Sequence, residues 1–299
     1  MWIIIATICI VAGCVIACAA AASVGFRFTQ FNTTKFEKTT YTITDSFENI
    51  NVNAVESDII FLPSDGDTCE VVCEENEKIT HNVSVKNNTL EISRKDLRKW
   101  YEHIDVFFGI SDFEMQIYLP QGEYEKLHAV SVSGDIVVSD SFTFREAELE
   151  TTSGNISFES GTGDAWYGKS VSGDISGKNL TGGNVDIKTT SGEIELEASA
   201  ADSLHIVSTS GDISLEDVVC ETDLFIKSTS GEVSLESCDG GEMTIKTVSG
   251  DVEGSLRSVK NFITHTTSGD VYIPDSDSSA STCEITTTSG DIHITVDKS

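Results

Sequence analysis

From Ser133 to Ile292 apolar and polar positions recur about every 19 or 20 residues around a Ser-Gly-(Asp/Glu/Asn)-(Ile/Val) corner. The corner glycines are Gly134, Gly154, Gly173, Gly192, Gly211, Gly231, Gly250, Gly269 and Gly290. Two residues after each stands Ile136, Ile156, Ile175, Ile194, Ile213, Val233, Val252, Val271 or Ile292. Four after it, Phe158, Leu196, Leu215, Leu235, Ile273 and Ile294 are large and apolar. Seven before it every repeat is apolar or small, from Leu127 and Ala147 through Trp166 to Phe262 and Cys283. Leu149, Ile187, Ile206, Ile226, Ile245 and Ile285 recur five before it. Residues two apart share one face of a strand, so each repeat holds at least two strands with one face inward.

Self-similarity at a fixed short period predicts stacked rungs. The expected fold is all-β: a single-stranded β-helix-like parallel β-solenoid of about nine rungs over residues 127–299, a rod about 40 Å long at one strand spacing per rung. Antiparallel pairing through the corner is the alternative, disfavoured because the repeating unit is a whole rung. At the corner, glycine is expected to supply a backbone conformation closed to other residues. Ser or Thr stands three before every glycine (Ser131, Thr151, Ser170, Thr189, Ser208, Ser228, Thr247, Thr266, Thr287), where stacked hydroxyls can hydrogen-bond along the column.

The N-terminal pattern differs. Residues 41–126 read as short alternating strands at 50–54, 58–62, 70–73, 83–85, 90–92 and 115–119, with Pro63 and Pro120 as stops. Residues 2–22 carry no charge and no proline, and a helix of that length spans about 31 Å, a hydrocarbon core. One transmembrane helix is therefore expected at 1–22, followed by a polar connector at 23–40. A cleaved signal peptide is the rival, as is a lipoprotein box at Val11-Ala12-Gly13-Cys14 that would lipidate Cys14. Arg27, Lys35 and Lys38 follow the span, which read literally favours a cytoplasmic body.

Charge narrows the partners. With 19 Lys+Arg against 49 Asp+Glu the net is -30, which repels nucleic acid and anionic lipid. Acidic residues follow the corner glycines: Asp135, Asp174, Glu193, Asp212, Glu232, Asp251, Asp270 and Asp291, with Asn155 the exception. One reading is Ca²⁺ shared between turns. The favoured reading is an acidic side chain accepting hydrogen bonds from its own turn, because Ca²⁺ takes 6–8 oxygens and one carboxylate recurs per turn. Lys169, Lys188, Lys227 and Lys246 form an outward column, and Glu195, Glu216 and Glu236 line the outer side of the second strand. The basic run at residues 94–101, with Phe107 and Phe108 beyond it, reads as a solvated connection, or alternatively as a contact with a membrane surface or partner.

Chemistry is hard to find. His81, His103, His128, His205, His265 and His293 fall at scattered offsets. Cys9, Cys14 and Cys18 lie in the apolar span, and Cys69 and Cys73 share a strand face too far apart to bond. Cys283 reads as a buried thiol, and Cys220 and Cys238 could meet on neighbouring rungs. Polysaccharide lyases and hydrolases on β-helices need basic residues or paired carboxylates gathered in a groove, and the ladder shows no break where one would be built. No catalytic, cofactor-binding or metal-ligating residue is assigned.

The elements Asp58-Ile59-Ile60-Phe61-Leu62-Pro63, Thr89-Leu90-Glu91-Ile92 and Ile117-Tyr118-Leu119-Pro120, followed by serial Ser-Gly-Asp-Ile rungs, resemble the putative-adhesin family known as domain of unknown function 4097. The likeness runs from about Ile50 to Val296. It implies a β-helix-like fold, usually behind an N-terminal membrane span in a bacterial envelope, and carries over no activity or binding residue. The expected function is thus non-enzymatic: a single-pass, membrane-anchored envelope protein with its repeats outside the cytoplasm. It would present the solenoid as an adhesion, binding or scaffolding surface to a cell-wall glycan or an envelope protein, and not to nucleic acid. An accessory role in envelope-stress signalling is the alternative, and a β-helical carbohydrate-active enzyme a third.

Overall fold

The computed structural model describes residues 36–98, 113–159 and 161–297. They form 24 strands, β1 to β24 in chain order, in two facing sheets. In stacking order, sheet A holds β1 (Glu37–Ile43), β4 (Cys69–Glu75), β7 (Phe113–Leu119), β3 (Ser57–Pro63), β9 (Ile136–Val138), β11 (Ile156–Phe158) and β13 (Ile175–Lys178). It continues through β15 (Ile194–Glu197), β17 (Ile213–Glu216), the first part of β19 (Val233–Lys246), β20 (Val252–Leu256), β24 (Ile292–Val296) and β22 (Val271–Tyr272). Sheet B runs β5 (Ile79–Lys86), β6 (Thr89–Asp96), β2 (Asn49–Asn53), β8 (Gly122–Val130), β10 (Phe142–Glu150) and β12 (Gly161–Lys169). Then come β14 (Asn184–Lys188), β16 (Ala200–Val207), β18 (Val219–Lys227), the second part of β19, β23 (Thr282–Thr286) and β21 (Asn261–His265).

Pairing is parallel except where β1, β4 and β5 close the N-terminal end antiparallel, and the parallel pairs stay in register apart from single shifts in β10/β12, β16/β18, β18/β19 and β19/β20. The parallel solenoid is therefore as expected, but the expected fold is corrected on its helix. The described residues are strands, bends and turns with no helix, and none among them is long and apolar enough to cross a membrane. The stretch assigned to the transmembrane helix, residues 1–22, lies outside the described residues, as do residues 99–112, which include Trp100, Phe107 and Phe108. Of the basic run, Arg94 pairs with Glu56 and Arg98 with Asp96, so its described part is a surface ion network.

Stack order departs from chain order at both ends. The β2/β3 rung sits between β6/β7 and β8/β9, although it comes first in the chain. At the other end the last rung, β23/β24, slides in beside β19/β20 and leaves the earlier β21/β22 outermost. Each terminal rung is thereby paired on both sides. Lys260, 3 % exposed, secures the C-terminal crossing: its Nζ bonds Gly240 O (2.7 Å) and Ser281 Oγ (3.0 Å) and pairs with Asp239.

Between the sheets the inward columns fill a continuous core. The Ile/Val two residues after the corner glycine is at most 1 % exposed in every rung but one; Val271, in the outermost rung, is 39 % exposed. Its rung-mate Ile273, also expected inside, is exposed as well. Both departures follow from the rung order, since no further rung covers β22. Cys69, Cys73, Cys220, Cys238 and Cys283 are buried free thiols, so the suggested Cys220–Cys238 contact is not a disulfide, and burial pushes the Cys220 thiol up to about 12.

The corner works differently from the expectation. None of Gly134, Gly154, Gly173, Gly192, Gly211, Gly231, Gly250 or Gly290 has positive φ, so no special backbone conformation is being supplied. Proximity is the reason for glycine: a Cβ on Gly211 would stand 1.6 Å from Gly192 O, and one on Gly192 1.9 Å from Gly173 O. The Ser/Thr hydroxyls, buried except at Thr266, do not bond to one another along the column. From Ser131 to Thr247 each accepts from the N–H of its own glycine, as Ser170 does from Gly173 (2.8 Å), and some donate to a neighbouring rung's glycine carbonyl, as Thr151 does to Gly134 (3.3 Å).

Left-handed backbone lies instead at the second corner, six residues on, in Asn179, Ala198, Asp217 and Ser237 (φ 49 to 57°). Asn and Asp tolerate that region, whereas Ala has no side-chain hydrogen bond to offset its Cβ crowding. Ala198→Asn should therefore stabilise the protein by about 0.5–1 kcal/mol. Urea unfolding checks this, and a lower midpoint would show that the turn is not limited by Ala198.

Candidate functional site

Strand alternation sends the position six before each corner glycine outward on sheet B. Register aligns His128, Glu148, Tyr167, Asp186, His205, Phe225 and Thr244 there in one column. The lysine column expected from sequence stands beside it two residues on, with Lys169 adjacent to Lys188 and Lys227 adjacent to Lys246. Lys188 Nζ bonds Asp186 Oδ2 (3.0 Å) and lies 5.4 Å from the centre of the Tyr167 ring. The His205 ring packs 4.8 Å from Phe225, and its Nδ1 is 3.6 Å from Asp186. Lys169 pairs with Glu150 (3.2 Å) and Lys246 with Glu284 (3.5 Å). An aromatic and cationic strip thus runs along the axis of a strongly acidic chain.

A shallow hollow of about 230 Å³ interrupts the strip, lined by residues that include Lys126, Glu146, Glu148, Tyr167, Asn184 and Asp186. Asp186 Oδ1 is buried and has no hydrogen-bond partner, an acceptor left over. The hollow therefore combines a ring face with cations, carboxylates and an amide at fixed spacing. Such a set offers a stacking face together with hydrogen-bond donors and acceptors.

Sheet A carries the acidic side. Corner Asp and Asn side chains accept from the neighbouring rung rather than from their own turn. Asp135 Oδ1 takes the Asn155 N–H (2.7 Å), Asn155 Oδ1 the Asp174 N–H (2.8 Å), and Asp174 Oδ1 the Glu193 N–H (2.8 Å). Asn155 fills the place as well as aspartate, so the column needs an oxygen and not a charge. Among the described residues no group of three or more His, Cys, Asp or Glu gathers to hold a metal ion.

One break in the ladder was not anticipated. Gly254 (φ 143°) replaces the usual large residue four after the corner, the register slips between Leu235 and Cys238, and a hollow of about 370 Å³ opens beside Glu236, Glu253, His293 and Thr295. Nearby, burial and a hydrogen bond with Glu253 raise the Glu232 carboxyl above its ordinary value. Two carboxyls in direct contact are closer than the roughly 5 Å or more that glycosidic displacement requires.

Of Tyr167, His205 and Phe225 the sequence singles out only His205, as one of several histidines at scattered offsets, and neither Tyr167 nor Phe225 belongs to an invariant column. Their signal was present as the one offset between two buried positions, where aromatic residues would be expected outside the core.

A family model described as Toastrack DUF4097 matches residues 47–166 and 164–299. No curated protein sequence matches the chain. Among solved structures, a putative lipid binding protein from Parabacteroides distasonis is 17 % identical, with a TM-score of 0.52 over 88 % of this chain and 98 % of that one. A putative adhesin from Bacteroides fragilis is 15 % identical, with a TM-score of 0.44 over 87 % and 97 %. The first likeness shows the shared fold, and the two matched stretches together span nearly all of the solenoid: the chain belongs to the Toastrack DUF4097 family.

Proposed function

We propose that this is a non-catalytic binding protein that uses the outer face of sheet B to hold an extended glycan at a cell surface. The observation that carries the reading is the Tyr167–Lys188–Asp186–His205–Phe225 strip, in which ring faces alternate with charged groups at strand spacing. Sugar rings stack their C–H faces on aromatic side chains and satisfy their hydroxyls with carboxylates and amides. A rung spacing of about 4.8 Å is close to the length of one pyranose in an extended chain. The neighbour described as lipid binding suggests an apolar ligand, but the core here is filled by side chains and the hollows described are shallow and polar-rimmed.

A glycan array and a cell-wall pull-down test the proposal. Saturable binding is expected, weakened about tenfold or more by Tyr167→Ala and by Phe225→Ala with the circular dichroism unchanged. Binding insensitive to both substitutions would remove the strip from the reading. Turnover of any array glycan would return the enzyme reading instead.

A further inference from the structure

We infer that β1 is a latch on the N-terminal cap that lets go in mild acid, with His81 as its trigger. The inference does not depend on what sheet B holds. Among the described strands β1 pairs only with β4, and none of its seven residues is fully buried. Tyr41 ties it to the cap: the hydroxyl reaches both Glu75 Oε1 (2.8 Å) and His81 O (3.2 Å). Little else fixes so exposed a strand, so what happens at Glu75 and His81 decides whether β1 stays.

The His81 side chain is 3 % exposed, and its Nδ1 lies 3.1 Å from the same Glu75 oxygen that Tyr41 uses. In register on the strand beside it stands Arg94, whose side chain is 9 % exposed. That guanidinium pairs with Glu56 (3.1 Å) and Asp96 (3.7 Å), and its Nε is buried without a hydrogen-bond partner. His81 and Arg94 border a space of about 10 Å³, room for about one water, closed by Phe36, Ile79 and Phe113 with Ser57 and Glu74. The charged and titratable groups facing His81 are thus Glu74 and Glu75 of β4, Tyr41 of β1 and Arg94 of β6.

A neutral ring suits this site and a charged one does not. Burial disfavours a second cation there, and the Arg94 guanidinium opposes it too, so that against the pull of Glu75 the ring is held below the ordinary histidine value of 6.5. Glu75, despite its burial, is held below its own ordinary value by bonds from Tyr41 and His81, and stays ionised in mild acid. Opening β1 wets the ring, which then takes a proton freely. The neutral ring therefore supports the closed cap fully above about pH 6.5, and that support is lost as the pH falls below it. Between pH 7.5 and 5.5 the opened fraction gains up to about tenfold. Acid otherwise relieves repulsion in a chain of net charge -30, so loosening at β1 runs against the trend of the whole molecule. Release uncovers the edge of β4 and adds seven residues, about 23 Å of extended chain, to the stretch before the solenoid.

Hydrogen exchange of the full chain at pH 7.5 and 5.5, corrected for the chemical exchange rate, tests this. Protection of the β1 amides is expected to fall by up to about tenfold at pH 5.5 while β14 to β17 keep theirs. His81→Gln keeps an N–H donor for Glu75 and cannot charge, so it should abolish the difference. Equal protection of β1 at the two pH values, or an equal loss in His81→Gln, would overturn the inference. The parent supplies a further check should that variant not fold: a His81 ring that titrates by NMR at or above the ordinary value of 6.5 overturns it as well.

Discussion

Gly211→Ala is expected to cost at least about 4 kcal/mol, which places it among the largest single-residue effects and is enough to unfold many domains. The new Cβ would stand 1.6 Å from Gly192 O and 2.5 Å from the carbonyl carbon, both of them backbone atoms. Neither can retreat, because Gly192 is already pressed against Gly173 O in the same way. Relief would mean opening the rung spacing, and with it bonds such as Ser210 N–H to Thr190 O (2.9 Å). Gly122→Ala is the control: a Cβ there meets nothing within 4 Å, and its effect should stay within about 0.5 kcal/mol. Urea unfolding followed by circular dichroism measures both. A cost below about 1 kcal/mol for Gly211→Ala would show that the rungs are not held at backbone contact.

Trp166→Ala should cost about 4 kcal/mol by leaving a cavity inside the stack. Its indole stacks on Phe158, with ring centroids 5.2 Å apart. It also occupies the volume left by two glycines at inward positions. A Cβ on Gly168 would approach Trp166 Cζ2 at 3.2 Å, and one on Gly177 would approach Cζ3 at 3.2 Å and Leu196 Cδ2 at 2.7 Å. Gly177→Ala should thus destabilise the parent by overpacking, and Trp166→Leu should relieve part of that cost, with a coupling of about 1 kcal/mol in a double-mutant cycle. Strict additivity would contradict this exchange of volume. Trp166→Phe should be far milder than Trp166→Ala, because Nε1 is buried without a hydrogen-bond partner and its loss removes an unsatisfied donor.

The exchange at Trp166 shows how far the repeat pattern can be read. Indexing on the corner glycines placed Trp166 among inward residues, and the structure puts it there at 1 % exposure. Gly168 and Gly177 stand in the same rung where Ile and Leu are usual, so their departure from the pattern was visible. Its meaning was not, because one side chain replaces two only when both sheets are seen to close over it. From sequence, the acid after each glycine reads as an acceptor within its own turn, but the partner lies a full rung away, as with the Asn155 N–H on Asp135. Sequence-local turn chemistry could not distinguish that partner from one in its own turn. For the strip proposed to bind, the lysine column is legible in the sequence, whereas Tyr167, His205 and Phe225 become one surface only through the pairing of β12, β14, β16 and β18.

Period and alternation alone determined the parallel solenoid, its corner and its inward columns, because a strand's two-residue repeat and a constant rung length allow few other ways to bury those residues. They could not determine the order in which rungs stack. Each rung carries nearly the same pattern, so its preference for a neighbour is almost independent of chain order. Only the tertiary structure shows the last rung entering beside β20 and leaving Val271 and Ile273 outside. That choice rests on contacts distant in sequence, such as Lys260 with Gly240, Ser281 and Asp239, which no periodicity encodes.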